Sequence, residues 1–273
     1  MSAAAPKAVS RRLRRRILET SPVAGIPHLG SCLSCIALLV YLYWNILDIG
    51  AARPDAPDRD RFVLSKGHAA PALFQVLAER GFYPKERLAS FGVNGSVFHE
   101  HPPAPGYLPG VEAATGSLGH GMPMALGMAL AARMTGMSYR SYALISDGEC
   151  NEGAIWEAAM LAAAQEVDNL CVIVDFNGWQ ATGRSREVMQ LDPMEDKWKA
   201  FGWHVETIDG HDFSAMPEAF RACATTRGKP SVVIAHTVKG KGVSFMEDDN
   251  NWHYRTPDND ELRLALQELQ DRR

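Results

Sequence analysis

The sequence lacks a concentration of positive charge that would indicate a nucleic-acid partner. Its 273 residues carry a formal net charge of −4, and the one dense basic run is RRLRRR at residues 11–16. Such a run more often lies on a surface helix than on a phosphate-binding face. We therefore predict an early surface helix and no nucleic-acid binding.

Cysteine is scarce and does not form a metal-binding pattern. Cys32 and Cys35 form a C-x-x-C pair inside an apolar helical pattern, with no second pair to complete a zinc site. An odd number of scattered thiols fits packing in a reducing compartment better than disulfides. We predict buried, reduced thiols and a cytoplasmic protein for the five cysteines, which are Cys32, Cys35, Cys150, Cys171 and Cys223.

A membrane span is not expected either. The longest apolar run, CLSCIALLVYLYWNIL at residues 32–47, falls short of the roughly 20 residues that a bilayer-spanning helix needs. Ser10, Arg11 and Arg12 could begin a twin-arginine signal, but Asn45 interrupts the apolar run and no small-residue cleavage site follows. We predict a buried helix, no export signal and no membrane attachment.

Repeats and low-complexity segments are absent, and the hydrophobic pattern changes along the chain. The first half is predicted to consist of helices and loops, including a long loop rich in Gly, Pro and His at residues 91–121. The second half alternates helices with Val- and Ile-rich strands at residues 142–146, 169–176, 204–209 and 231–238. This alternation is typical of a parallel sheet with helices on both faces. We predict one α/β domain over residues 1–273, with a helical, loop-rich N-terminal part.

Two of these strands end in oxygen-bearing side chains. Asp147, Gly148 and Glu149 follow the first strand, and Asn177 follows the second. Ligands of such sheets collect at the carboxyl ends of the strands. A carboxylate, an amide and a carbonyl suit Mg²⁺ or Ca²⁺, while Gly148 before a helix N-terminus suits a phosphate. Turn residues that merely cap helices would give the same pattern, so the residues alone leave both interpretations open.

A glycine-rich turn and several loop histidines are further candidates. In ATGSLGHG, residues 114–121, the glycines would let the loop touch a ligand and Ser117 could cap the following helix. Several histidines converging on one cleft would suit proton transfer and hydrogen bonding to an anionic, hydroxylated substrate. Ordinary surface or capping histidines are the alternative. The six loop histidines are His28, His68, His99, His101, His120 and His253.

Taken together, these segments resemble a known family. The order of GIPHLGSCLS, LSKGHA, GVEAATGSLGHG, SDGECNEG, VDFNGWQATG, DGHD and VKGKGVSFMEDDNNWH is similar to that in the N-terminal, diphosphate-binding half of transketolases. The resemblance covers nearly the whole chain. It implies a thiamine diphosphate-binding fold, with thiamine diphosphate and Mg²⁺ or Ca²⁺ as cofactors.

The resemblance also implies roles for individual residues. The implied metal ligands are the side chains of Asp147 and Asn177 and the backbone carbonyl of Trp179. The implied catalytic histidines, which face the diphosphate or the donor channel, are His28, His68, His101 and His253. The implied cofactor-binding residues are His68, Gly116, Ser117, Leu118, Gly148, Glu152, Asn177 and His253. Among these, Glu152 resembles an acidic residue that links two cofactor sites across a dimer interface.

Three positions depart from the family pattern. Ser146 replaces the first glycine of Gly-Asp-Gly, and His120 stands where glutamine is common. Trp179 places a bulky aromatic side chain at the position of the carbonyl ligand. Because only the backbone oxygen of that residue is needed, we expect metal ligation to survive beside an unusual pocket wall.

The sequence ends soon after His253, whereas complete transketolases also carry a pyrimidine-binding domain with an activating glutamate, and a C-terminal domain. We therefore expect one subunit of a split transketolase, most simply in an α2β2 assembly with a separately encoded C-terminal-section subunit. The expected reaction moves a two-carbon ketol unit from a ketose or ketose phosphate to an aldose or aldose phosphate.

Two alternatives to a split transketolase stand beside this expectation. The first is another split thiamine diphosphate enzyme, either an acyloin-forming ligase or the α subunit of a 2-oxo acid dehydrogenase. The second is a non-catalytic scaffold. The intact Asp147, Asn177, His68 and His253 argue against the scaffold.

Overall fold

The structure is a computed structural model that describes residues 4–270, apart from the side chains at positions 4 and 22–24. Its centre is a parallel sheet with the strand order β1-β2-β3-β5-β4. The five strands are β1 (Arg61–Leu64), β2 (Ser141–Ser146), β3 (Leu170–Phe176), β4 (His204–Asp209) and β5 (Ser231–His236). The four predicted strands are confirmed. Strand β1 was missed because its four residues lie between a charged connection and a loop.

Helices surround this sheet. In chain order they are α1 (Ala4–Ala24), α2 (Leu29–Tyr41), α3 (Ala70–Glu79), α4 (Gly121–Met134), α5 (Gly153–Ala164), α6 (Ser185–Val188), α7 (Met194–Ala200), α8 (Met216–Thr225) and α9 (Asn259–Glu268). A π-helical turn, Leu42–Ile46, extends α2, and short 3₁₀ turns occur at Gly67–Ala69, Lys85–Ser90, Gly148–Asn151 and Asn250–His253.

The helices form a layer on each face of the sheet. Alternate residues of a strand point to opposite faces, so Phe62 and Leu64 join one core while Val63 joins the other. The first core includes side chains of α1, α2, α3 and α8, and the second includes side chains of α4, α5 and α7. The predicted parallel sheet with helices on both faces is therefore confirmed.

Helix α2 and its π-helical extension form the core of the first layer. The window Leu29–Ile46 has a mean hydropathy of 1.7, enough by length and composition to cross a membrane, but 83% of it is buried inside the protein. The prediction of a buried helix is therefore confirmed. Cys32 and Cys35 pack within it, and all five cysteines are buried free thiols, as expected.

The basic run at residues 11–16 lies on α1, as predicted, but not all of it faces solvent. Arg12 and Arg16 both pair with Glu79 of α3, at 2.5 Å. Arg14 is partly buried and its Nε donates to the carbonyl of Leu33 at 3.3 Å. These arginines therefore join α1 to its neighbouring helices.

Candidate active site

A cavity of about 380 Å³ opens where the loops that follow β2 and β3 meet α2 and the turn Asn250–His253. It brings together nine of the residues that the sequence singled out: His28, His68, His101, Gly116, Leu118, Gly148, Asn177, Trp179 and His253. Asp147 is fully buried beside this cavity. Ser117 and Glu152 are exposed and do not line it. The side chains of Ser31, Ser146, Gln180, Ala181 and Thr182 complete the lining.

Three of the four cavity histidines pack against one another. The ring centroid of His28 lies 4.8 Å from that of His253 and 5.3 Å from that of His68. His28 has a left-handed φ of 63°, and its backbone N–H donates to the carbonyl of His253 at 2.6 Å. The predicted convergence of loop histidines in one cleft is therefore found. His99 and His120 are exposed and lie outside the lining.

The clustered imidazoles are neutral near pH 7. Burial lowers the pKa of His28 to about 4 and that of His253 to about 3, and it lowers the pKa of His68 well below its ordinary value. Positive charge nearby, including that of Lys239 and Lys66, lowers each pKa further. Each ring therefore has one nitrogen that donates and one that accepts a hydrogen bond.

Lys239 is a site residue that the sequence interpretation missed. Its Nζ lies 2.9 Å from Nδ1 of His253 and 2.7 Å from Oδ1 of Asn250. Burial lowers the pKa of Lys239 to about 7. When charged, Lys239 can only donate to Nδ1, and the proton of the neutral His253 then lies on Nε2. The available signal was a lysine in VKGKG, directly after a strand.

A buried ion pair lies beneath the cavity. Nζ of Lys66 contacts Oδ2 of Asp175 at 2.5 Å, and both side chains have no solvent exposure. Asp175 also accepts hydrogen bonds from Ser34 and Thr237. Although burial opposes its ionisation, Lys66 and these donors lower the pKa of Asp175 below its ordinary value. The pair joins α2, β3 and the loops after β1 and β5.

Glu149 has a larger role than the helix-terminal charge that the sequence suggested. Its buried carboxylate accepts from Ser65 Oγ at 2.5 Å, from Gly119 N at 2.9 Å and from Ser146 N at 3.3 Å. Burial raises its pKa. Glu149 therefore fastens the glycine-rich loop, which contains Gly116 and Leu118, to the ends of β1 and β2.

The expectation that Ser117 caps α4 is wrong. His120 is the residue at the N-terminal boundary of this helix, and Oγ of Ser65 accepts from the backbone N–H of Met122 at 3.1 Å. The cap thus comes from a residue far away in sequence. A pattern based on local spacing does not reveal such a contact.

Asp147 has a geometry that suits a cation. Its Oδ2 accepts from Gly178 N at 2.9 Å and from Ser185 Oγ at 2.7 Å. Its Oδ1 is buried and has no hydrogen-bond partner among residues 4–270. Burial raises the pKa of this carboxyl to about 6. A buried carboxylate oxygen without a donor is costly, and a bound cation would remove that cost.

The other possible metal ligands near Asp147 are an amide and a carbonyl oxygen rather than a cluster of acidic, histidine or cysteine side chains. Oδ1 of Asn177 accepts from the backbone N–H of Trp179 at 3.1 Å and keeps a second lone pair. In the described part of the chain there is no group of three or more His, Cys, Asp or Glu residues that could hold a metal. A site of one carboxylate, one amide and one carbonyl suits a hard cation that keeps other ligands.

Comparison with known proteins identifies the family and the fold. Residues 9–270 match the family described as transketolase, thiamine diphosphate binding domain. The chain belongs to the transketolase family. It is 40% identical over 263 residues to an apulose-4-phosphate transketolase subunit of Phocaeicola vulgatus, an alignment that covers 96% of this chain and 93% of that protein.

A second relative and a solved structure agree with this assignment. The chain is 40% identical over 258 residues to the 6-deoxy-6-sulfo-D-fructose transketolase subunit SqwG of a Clostridium species, covering 94% of each protein. The transketolase of Pichia stipitis in complex with sedoheptulose-7-phosphate has the same fold, with a TM-score of 0.90 and 27% identity. That alignment covers 98% of this chain but only 41% of the Pichia chain.

This transketolase chain is a thiamine diphosphate-binding subunit of the split type, because both relatives are named as subunits and match along almost their whole length. Enzymes of this family transfer ketol groups. The two named relatives favour a transketolase over an acyloin-forming ligase or a 2-oxo acid dehydrogenase subunit.

Proposed function

We propose that this chain holds the diphosphate and the divalent metal of a split transketolase, which moves a two-carbon ketol unit from a ketose or ketose phosphate to an aldose or aldose phosphate. The observation that carries this proposal is the shared cavity. Neutral histidines line it, and Asp147 with its unpartnered Oδ1 lies buried beside it, at the carboxyl ends of the strands.

The metal would be Mg²⁺ or Ca²⁺. Oδ1 of Asp147, Oδ1 of Asn177 and the backbone oxygen of Trp179 would ligate it, and diphosphate and water oxygens would complete its shell. Asp147 supports this role because one of its oxygens already anchors the loop that carries Trp179, through Gly178 and Ser185.

The diphosphate would lie against Gly148, where a short helical turn begins, and beside His68 and His253. Backbone N–H groups at such a turn and neutral imidazole N–H groups can all donate to phosphate oxygens. Gly116 and Leu118 line the same cavity and would contact the rings of the cofactor. We expect Ser117 to contribute through its backbone, since its side chain is exposed outside the lining.

When bound, thiamine diphosphate would supply the carbon nucleophile and electron sink of the transfer. The chain's own contribution is to orient the sugar and move its protons. His28, His68, His101 and His253 would donate to and accept from substrate hydroxyl and carbonyl groups. Charged Lys239 would fix the tautomer of His253, so that Nε2–H is the group left to donate.

A partner subunit with the pyrimidine-binding domain and its activating glutamate would complete the active site, most simply in an α2β2 assembly. Helices α4 and α5 expose large apolar side chains that a partner would cover: Met124 is 41% exposed, Met160 53% and Leu161 48%. Glu152 is exposed at the start of α5, where it would contact the other cofactor site. We place the enzyme in the cytoplasm, in keeping with its five free thiols.

Calorimetric titration with thiamine diphosphate and Mg²⁺ tests the site. The unchanged chain is expected to bind both together, and Asp147→Ala to lose measurable binding because the metal loses its buried carboxylate. Asp196→Ala is a matched control, since this carboxylate is 71% exposed on α7. Equal affinity of the Asp147→Ala variant and the unchanged chain would contradict the proposal.

A further inference from the structure

A small hairpin at residues 178–185 forms one wall of the cavity. Trp179 and Arg184 make an antiparallel bridge, Gln180 N donates to Gly183 O at 2.8 Å, and Ser185 N donates to Gly178 O at 3.0 Å. Asn177 and Trp179, two of the implied metal ligands, lie at the start of this hairpin. Movement of the hairpin would therefore move the metal ligands.

Little apolar burial holds this hairpin in place. Every residue from Gly178 to Arg184 keeps part of its surface in solvent, and Thr182 is exposed. Segments with few buried apolar contacts open locally at low cost. The position of the hairpin must therefore depend on polar contacts.

Two of these contacts are made to Asp147, by Gly178 N and Ser185 Oγ, and further contacts meet at Asp248. Nη1 and Nη2 of Arg184 each donate to one carboxylate oxygen at 2.6 Å. The indole Nε1 of Trp179 donates to Oδ1 of Asp248 at 2.8 Å. The guanidinium of Arg184 also stacks over the Trp179 ring, 3.7 Å from its centroid. Charge and stacking thus join both strands of the hairpin to one carboxylate.

Hydrogen bonds also hold the segment that carries Asp248 in place beside the cavity. Asp248 N donates to the carbonyl of Lys239 at 2.8 Å, and Asn250 Nδ2 donates to the carbonyl of Ala181 at 3.0 Å. Lys239 also binds Asn250 and His253. The hairpin is therefore connected to the histidine cluster on the opposite wall.

We propose that Trp179, Arg184 and Asp248 form a latch that keeps the 178–185 hairpin closed over the cofactor site and slows release of the cofactor. The latch residues are positioning residues for the metal and diphosphate, and this inference rests on the proposed function. The tryptophan at the carbonyl-ligand position thus contributes its backbone oxygen to the metal and its indole to the latch.

The expected strength of the latch depends on the solvent exposure of its side chains and on the geometry of their contacts. The side chains of Arg184 and Asp248 are 31% and 55% exposed, so solvent screens the ion pair. Bidentate geometry and stacking on an indole strengthen such a contact. Together these contacts are expected to shift the closing equilibrium of the hairpin roughly tenfold.

Hydrogen exchange on the full chain without cofactor tests whether the latch closes the hairpin. In Arg184→Ala and Asp248→Ala, amides of residues 178–185 are expected to exchange about tenfold faster than in the unchanged chain. The increase in the double variant should be smaller than the product of the two single increases, because both changes remove the Arg184–Asp248 ion pair. Arg186→Ala is the matched control, since that arginine is 71% exposed and contacts only its neighbour Glu187, at 4.0 Å, among the described ion pairs. Exchange at the unchanged rate in both latch variants would overturn the inference.

The rate at which bound thiamine diphosphate is displaced in the presence of Mg²⁺ tests whether the latch slows release of the cofactor. Both latch variants are expected to release it about tenfold faster, with Arg186→Ala releasing it at the unchanged rate. Unchanged release from latch variants that bind normally would overturn the latch and leave the proposed function standing. If the unchanged chain binds no thiamine diphosphate, the proposed function and the retention role fail together, while hydrogen exchange still decides whether the hairpin is latched.

Discussion

The side-chain nitrogen of Lys239 lies 2.9 Å from Nδ1 of His253. The charged form of Lys239 can only donate in this contact, which places the proton of the neutral His253 on Nε2. The contact also puts a titratable amine next to a histidine that lines the cavity. After burial, the charge of Lys239 is the largest cause of the lowered pKa of His253. Removing the amine should therefore change how His253 titrates.

Lys239→Met is expected to raise the pKa of His253 from about 3. The pKa should remain below its ordinary value, because burial, the larger cause, persists. Imidazole nitrogen chemical shifts, followed by NMR as a function of pH, measure this change. Lys241→Met serves as the control, since Lys241 pairs with Glu247 instead. An unchanged titration of His253 in Lys239→Met would contradict the role given to Lys239.

The clustered histidines should also make the protein sensitive to acid. Their pKa values are lower in the folded state than in the unfolded state, at about 4 for His28 and about 3 for His253. As the pH falls below about 6.5, these histidines therefore bind protons in the unfolded chain but not in the folded chain. The free energy of unfolding decreases from that pH down towards pH 4. We expect the melting temperature to fall over this range, and to fall less steeply in His253→Gln. An equally steep fall in that variant would contradict this account, and exposed His99→Gln is the control.

The Lys66–Asp175 pair should be essential for stability. Lys66→Met or Asp175→Asn alone is expected to cost about 3–5 kcal/mol of unfolding free energy, because each leaves a buried group without its partner. The double variant should cost less than the sum of the two single changes. Denaturant unfolding measures these energies. Glu19→Gln, which breaks the exposed Arg15–Glu19 pair, should cost at most about 0.5 kcal/mol. Additive losses in the double variant would show that the two groups are not coupled.

Part of the fold and of the cavity could be predicted from the sequence, and the rest could not for a physical reason. Strands β2, β3 and β5 were recognisable because buried parallel strands are short, nearly continuous apolar runs. Of the cavity residues, Gly148 and Asn177 were recognisable because they follow β2 and β3, and the histidines because they stand beside Gly or Pro or in predicted loops. The partners Lys66 and Asp175, in contrast, are 109 residues apart. Trp179 and Asp248 are 69 residues apart. Such pairs become visible only once the fold places them together.

Glu149→Gln should weaken cofactor binding although Glu149 does not line the cavity. Its carboxylate holds the Gly119 N–H and the Ser65 hydroxyl, so a neutral amide would loosen the loop that carries Gly116 and Leu118. We expect the dissociation constant for thiamine diphosphate to rise about tenfold, as the loss of charge-assisted hydrogen bonds would produce. Calorimetry measures it, with exposed Glu157→Gln as the control. Equal affinities for both variants would contradict the positioning role of Glu149.

The exposed apolar face of α4 and α5 should be required for assembly. Met160→Lys and Leu161→Lys are each expected to weaken the complex with the partner subunit by at least about tenfold, because a charge would be buried without a partner. Light scattering of the mixed subunits measures the complex. Leu264→Lys is the matched control, since Leu264 is 45% exposed on α9. If Leu264→Lys disrupted the complex while the other two variants assembled, the interface would lie elsewhere.

The central claim is that this chain holds half of an active site. The most direct test mixes it with the transketolase C-terminal-section subunit, thiamine diphosphate and Mg²⁺, and follows two-carbon transfer from a ketose phosphate to an aldose phosphate. We predict turnover by the complete mixture and none when the partner, the cofactor or the metal is left out. Robust turnover by this chain alone with cofactor and metal would contradict the claim.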